Sequence, residues 1–305
     1  MKASARKVLS EASFSKSFWA YMASSTVVAA AEDMLSPFYP VYFKERFNLS
    51  MSAVSLLFAL SGGIWNVMSI PSGWLADKLG RKRVILASWL SSVAEPLALI
   101  WVYSYRQLVA LVALCSLLAS IQGAASSAVI ADLVEEEKRS LAFGVRRILG
   151  NAVWVAAPAI GGAYLSSGGG FTALLLSSAA LSAVGVAMLA ALVPETRGSG
   201  LPPPSLYSLR GFLSKGFSCL CLSSLFTLLF YSQIYTLLPI YGREYGLSEL
   251  EVGLLFSISG ATVVALQLPT SIAARRASLA TASALGVAVM AAGVCGIGSQ
   301  AASSS

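Results

Sequence analysis

The stretch GWLADKLGRKRV (residues 73–84) places five charged residues in twelve positions, in a 305-residue chain whose Asp, Glu, Lys and Arg together make up only 11%. On either side lie long apolar runs, roughly 51–75 and 84–105. A helix rises about 1.5 Å per residue, so about 20 apolar residues cross a hydrocarbon core about 30 Å thick. By that measure the sequence predicts nine spans, near 17–43, 51–75, 84–105, 107–133, 141–165, 171–193, 212–241, 250–273 and 278–298. Helices alone satisfy every backbone group within one lipid-facing segment, and no alternating strand pattern competes. The fold class expected is an all-α membrane protein. The first run is read as a retained span and not a cleaved leader, being too long and carrying Glu32 and Asp33.

Charge placement gives the expected orientation. If the N-terminus is cytoplasmic and the loops alternate, 17 of the 21 basic residues fall inside, Lys78, Arg81, Lys82, Arg83, Arg146 and Arg147 among them, against four outside. Basic residues resist translocation, so the skew sets a multi-pass topology in the cell membrane. It also accounts for the net charge of +7 without a nucleic-acid partner. His is absent, and Cys115, Cys219, Cys221 and Cys295 all fall within spans as apolar filler, so no metal site and no cofactor is expected.

Between spans six and seven the chain reads PETRGSGLPPPSLYSLRG (194–211), where Pro202, Pro203 and Pro204 favour a stiff extended linker. It divides a six-helix bundle (1–193) from an incomplete, three-helix bundle (212–305). Residues 47–77 laid over 245–275 without gaps share ten identities, including Leu49/Leu247, Ser50/Ser248, Ser61/Ser259, Gly62/Gly260 and Pro71/Pro269. Span two therefore repeats as span eight, an internal duplication characteristic of secondary transporters.

With Gly73, Leu75, Ala76, Asp77, Gly80, Arg81 and Lys82 in this loop, the sequence resembles the signature G-x-L-A-D-x-x-G-R-K of the major facilitator superfamily. In span five, GNAVWVAAPAIGG (150–162) is similar to the superfamily's antiporter motif, matching at Gly150, Pro158, Gly161 and Gly162, with Ala157 in place of a glycine. The resemblance implies a twelve-span fold of six plus six, so this chain is read as truncated after about nine helices. It further implies that spans one, four, seven and ten line the substrate cavity, and that Asp77 pairs with the start of span eleven. A partner chain supplying the further helices is a candidate.

Ionisable groups inside a bilayer are costly and mark functional sites. Three carboxylates qualify: Asp33 and Glu32 in span one and Glu95 in span three. Held away from water, a carboxyl binds its proton more tightly, which suits it to proton loading and release. Asp33 is preferred, because DMLSPFYP (33–40) resembles the acid-then-proline pattern of the superfamily's drug/proton antiporters. Asp132, Arg146 and Arg147 are candidates for an inner gate with Asp77. Gln122, Ser126, Tyr231, Gln233 and Tyr235 lie on the spans that the resemblance assigns to the cavity. No nucleophile–base pair appears, so an enzyme is not expected. The function expected is proton-coupled export of small organic compounds by alternating access across the lipid bilayer. Import of sugars or organic acids, and a non-transporting remnant, stand as alternatives.

Overall fold

The computed structural model describes residues 14–196, 234–274, 281 and 284–293, and among these the structured elements are helices without strands. In chain order they are α1 (Lys16–Asp33), α2 (Tyr39–Phe47), α3 (Met51–Leu79), α4 (Arg81–Leu99), α5 (Tyr105–Ser120), α6 (Gln122–Leu133) and α7 (Arg139–Ser166). Then follow α8 (Phe171–Leu192), α9 (234–244), α10 (Glu249–Ala274) and α11 (Ala284–Gly293). Five helical segments among the described residues are long and apolar enough to cross a membrane: Met51–Met68, Tyr105–Leu133, Glu136–Ser166, Phe171–Leu192 and Glu249–Leu266. The protein is an all-α, multi-pass membrane protein. The expected seventh span falls largely outside the described residues, as do about half of the ninth and most of the 194–211 linker.

Helix starts follow local chemistry. Ser15, Ser50 and Ser104 each accept from the backbone N–H three residues on, and Ser104 forms a reciprocal capping box with Gln107. The first span, expected to run unbroken over 17–43, instead breaks after Asp33. A 3-10 turn, Ser36–Phe38, intervenes before α2. Pro37 and Pro40 lack the N–H that a continuing helix needs, and each sits in the first turn of its new element. The fourth span is likewise two helices that meet at Ile121.

The helices pack around α1. Its face bearing Phe18, Tyr21, Met22 and Val28 is buried with Val84, Ile85 and Trp89 of α4, Ala125 and Val129 of α6, and Leu189 of α8. A second core gathers Leu35, Phe43, Val54, Leu57, Leu108 and Leu174 around the break. Small residues allow close approach: a methyl at Gly185 would meet Val28 and the Ser24 carbonyl. Buried serines hydrogen-bond to backbone, as with Ser178 Oγ to the Ala31 carbonyl at 2.8 Å. The second half joins through α10, whose Gly253 faces the Pro158 carbonyl and whose Gly260 faces Trp154 and Val155 of α7.

Candidate functional site

Two cavities open inside the bundle around α1. The first, about 240 Å³, lies toward the α1 break and is lined by Glu32, Tyr39, Phe58, Trp65 and Glu95 among others. The second, about 250 Å³, lies toward the start of α1 and is lined by Tyr21, Trp89, Gln122, Ser126 and Arg146 among others. Glu32 and Trp65 line both, so they form the wall between them. Glu32 accepts a hydrogen bond from Ser92 Oγ of α4. Glu95, one turn further along α4, lines the first cavity and makes no hydrogen bond or ion pair among the described residues. Its charge is close enough to that of Glu32 for each to act on the other. The Pro96 that follows it leaves α4 continuous.

Asp33, the carboxylate preferred from sequence, is half-buried at the last residue of α1 and does not line either cavity. It lies a helical step of about 100° from Glu32. The structure thus joins Glu32 with Glu95 and sets Asp33 aside from them, although its charge lies within range of Glu32.

Gln122 and Ser126 do meet in the second cavity. Gln122 Oε1 accepts from Trp89 Nε1 at 2.5 Å, and the Ser126 carbonyl accepts from the Tyr21 hydroxyl at 3.4 Å. Tyr21 and Trp89 stack with centroids 6.4 Å apart. Tyr235 sits elsewhere, in an aromatic cluster with Trp154 and Phe256 at centroid distances of 5.6 and 5.7 Å. Tyr231 and Gln233 lie outside the described residues.

At the far end of α3, the loop of the opening stretch is pinned from two sides. Arg81 forms an ion pair with Asp132 of α6 and donates to the Ala128 carbonyl at 2.9 Å, with Asp77 3.9 Å away. Asp132 therefore pairs with Arg81. Arg146 faces the second cavity and reaches Ser127 Oγ at 3.5 Å, and Arg147 is exposed. Lys82 reaches the Ala190 carbonyl of α8 at 2.7 Å.

Sequence reasoning missed Glu195. Its carboxylate accepts from the Lys82 and Arg83 backbone N–H groups at 2.9 and 3.3 Å, capping the positive end of α4. Gly80 permits this: its φ of +98° favours glycine, and an added Cβ would stand 2.8 Å from the Glu195 carboxyl carbon. The available signal was a glycine at an N-cap, which has no side chain to cap with, paired with an acidic residue just past α8. Ser92 and Trp65 were missed as well, since a small polar or aromatic residue in a span usually means packing.

In the span-five motif, Gly161 faces the Met34 carbonyl and Phe38 at the α1 break, and Gly162 faces the Glu249 carbonyl and Leu250 at the start of α10. Gly150 has open space around it and lines the second cavity.

Residues 21–304 match the sequence profile described as Major Facilitator Superfamily. The chain belongs to this superfamily. The family is one of transporters and not enzymes. Among curated relatives, the MFS-type transporter YqjV of Bacillus subtilis is 29% identical over 146 residues, 47% of this chain and 35% of that protein. A Na(+), Li(+), K(+)/H(+) antiporter of Planococcus maritimus is 27% identical over 140 residues, 42% of this chain and 31% of that protein. The matches span about a third of the length of these curated relatives.

Solved transporter structures share the fold. The peptide transporter POT in complex with sulfate matches with a TM-score of 0.64 at 14% identity, covering 86% of this chain and 68% of that one. A bacterial homologue of the human lysosomal transporter Spinster, inward-facing and unoccupied, matches with a TM-score of 0.66 at 17% identity, covering 85% and 62%. Within the superfamily fold, the two cavities of this chain lie beside the first helix.

Proposed function

We propose that the chain works as a secondary active transporter of the drug/proton antiporter type, exporting small organic compounds from the cytoplasm by alternating access. The observation that carries this reading is Glu32, which forms the wall between two cavities and has a second carboxylate, Glu95, beside it in one of them. A carboxyl group in that position can be protonated from one side and deprotonated toward the other as the halves rock. Binding of a proton and binding of substrate then exclude one another. Asp33, at the break in α1, is the third group of the relay, and Asp132 with Arg81 closes the opposite end of the bundle. The antiporter match at 27% identity supports proton exchange, and the basic loops support a cytoplasmic N-terminus in the cell membrane.

Infrared difference spectroscopy of the reconstituted chain, compared between acid and alkaline buffer, tests the proton reading without any substrate. A carboxyl band that titrates in the wild type is expected to vanish in Glu32→Gln or Glu95→Gln, and to shrink in Asp33→Asn. Bands unchanged in all three variants refute the assignment. Proteoliposomes under a pH gradient then test coupling, with the Gln variants expected to lose at least about 90% of gradient-driven exchange.

A further inference from the structure

We infer that the second cavity seats a compact organic monoanion, its carboxylate held between Arg146 and Gln122. This goes beyond the exchange proposed above, which turns on Glu32 and Glu95 and uses neither of these side chains. Arg146 stands seven residues past the start of α7 at Arg139, about 10 Å along a segment long and apolar enough to cross a membrane. A charged side chain there is costly unless it meets an opposite charge. No ion pair among the described residues includes it. Asp132 is taken by Arg81, and the contact of Arg146 with Ser127 Oγ is long, at 3.5 Å. Gln122 supplies the second arm. The indole Nε1–H of Trp89 can only donate, so the amide atom it meets at 2.5 Å is the oxygen. That contact leaves the NH2 group, with its two donors, for the cavity that Gln122 lines. Ser25 and Thr26 add no donor, because each hydroxyl already donates to the Met22 carbonyl, at 3.0 and 2.7 Å.

Shape and charge narrow the ligand. A planar guanidinium matches the two oxygens of a carboxylate with parallel N–H···O bonds. The rest of the wall carries Tyr21, Trp65 and Trp89. Ring faces are negative, so the charge stays at the donor end and a hydrocarbon body lies against the rings. A bare inorganic anion would gain nothing from that wall. Glu32 lines the same cavity and repels a second negative charge, which selects a monocarboxylate over a dicarboxylate. A volume of about 250 Å³ suits one aromatic ring or a short branched chain, below the ordinary range for drug-sized molecules, about 300–1,000 Å³. The first cavity lacks this chemistry, since its lining carries two carboxylates and neither lysine nor arginine.

The test uses the full chain in nanodiscs of zwitterionic lipid and benzoate as the probe, titrated calorimetrically against empty nanodiscs. Two control ligands bracket it: benzamide, which keeps the planar shape without the charge, and terephthalate, which adds a second carboxylate at the opposite end. Benzoate is expected to bind saturably, with each control about tenfold weaker. Arg146→Gln is expected to weaken benzoate about tenfold, with Arg146→Lys falling between, since it keeps the charge and loses the fork. Gln122→Leu is expected to weaken benzoate about threefold. Should Arg146→Gln fail to fold, Glu32→Gln supplies a gain to read: terephthalate is expected to bind it nearly as tightly as benzoate does.

Equal binding of benzoate and benzamide overturns the inference. So does benzoate affinity untouched by Arg146→Gln, or terephthalate binding the wild type as tightly as benzoate. If benzoate fails to bind while the carboxyl bands still titrate and vanish in the Gln variants of Glu32 and Glu95, the anion seat falls and the proton reading stands. Saturable benzoate binding that Arg146→Gln removes, with no titrating carboxyl, upholds the seat and removes the proton reading.

Discussion

The α2–α3 hairpin and the α9–α10 hairpin are built on one plan and used differently. In each, the first helix ends on a left-handed residue, Asn48 at φ 50° and Gly246 at φ 84°, which occupy matching positions of the repeat. The next N–H turns back to the first helix in both, Leu49 to the Lys44 carbonyl at 3.0 Å and Leu247 to the Gly242 carbonyl at 2.9 Å. A serine then starts the second helix, and a valine four residues on is buried, Val54 and Val252. The difference lies further along. A Cβ added at Gly260 would meet Trp154 and Val155 of α7, whereas one added at its counterpart Gly62 would meet nothing within 4 Å among the described residues. Duplication preserved the turn, where backbone geometry leaves few choices, while the helix faces diverged with their neighbours.

The largest test of that contrast is the glycine pair. Gly260→Leu is expected to cost about 3 kcal/mol by forcing α10 off α7, against less than about 0.5 for Gly62→Leu. Thermal unfolding in detergent reads both, and equal losses would mean that the Gly62 face is packed too. Next come the caps. Ser248 exchanges hydrogen bonds with Glu251 in both directions, whereas Ser50 makes the one bond to Ala53. Ser248→Ala should therefore cost about 1.5 kcal/mol and Ser50→Ala about half that.

The turn residues follow. Gly246→Ala should cost about 1 kcal/mol, since a Cβ is disfavoured at positive φ, while Asn48→Gly should change stability by a few tenths. A reversed order would show that the two turns are not equivalent. The smallest effect is expected at the ion pair linking the hairpins, Lys44 with Glu244, which is partly solvent-exposed. Lys44→Ala should cost about 0.5 kcal/mol in dilute buffer and nothing measurable at high salt.

Where the sequence was legible, the physics was local. Apolar length gave the five segments that can cross a membrane among the described residues, out of nine expected, and the repeat gave the paired hairpins through Ser50 and Ser248. Pro37 and Pro40 are visible in the sequence too, but apolar length carried the first span across them, because hydropathy does not register a missing N–H. The candidate site was half legible. A carboxylate within an apolar run stands out by cost alone, so the sequence offers Glu32, Asp33 and Glu95 as candidates. Which of them share a cavity depends on a 100° rotation at the end of α1 and on α4 coming alongside, and neither is written in the spacing. Ser92 and Glu195 were hidden for the same reason, since each acts on a partner at least 60 residues away.

The carboxylate of Glu195 sits on the strand of chain that leaves α8, yet it holds the first turn of α4. The two backbone N–H groups it holds, those of Lys82 and Arg83, stand one step along the chain from the ion pair of Arg81 with Asp132. One carboxylate thus fastens the exit of α8 to the bend between α3 and α4.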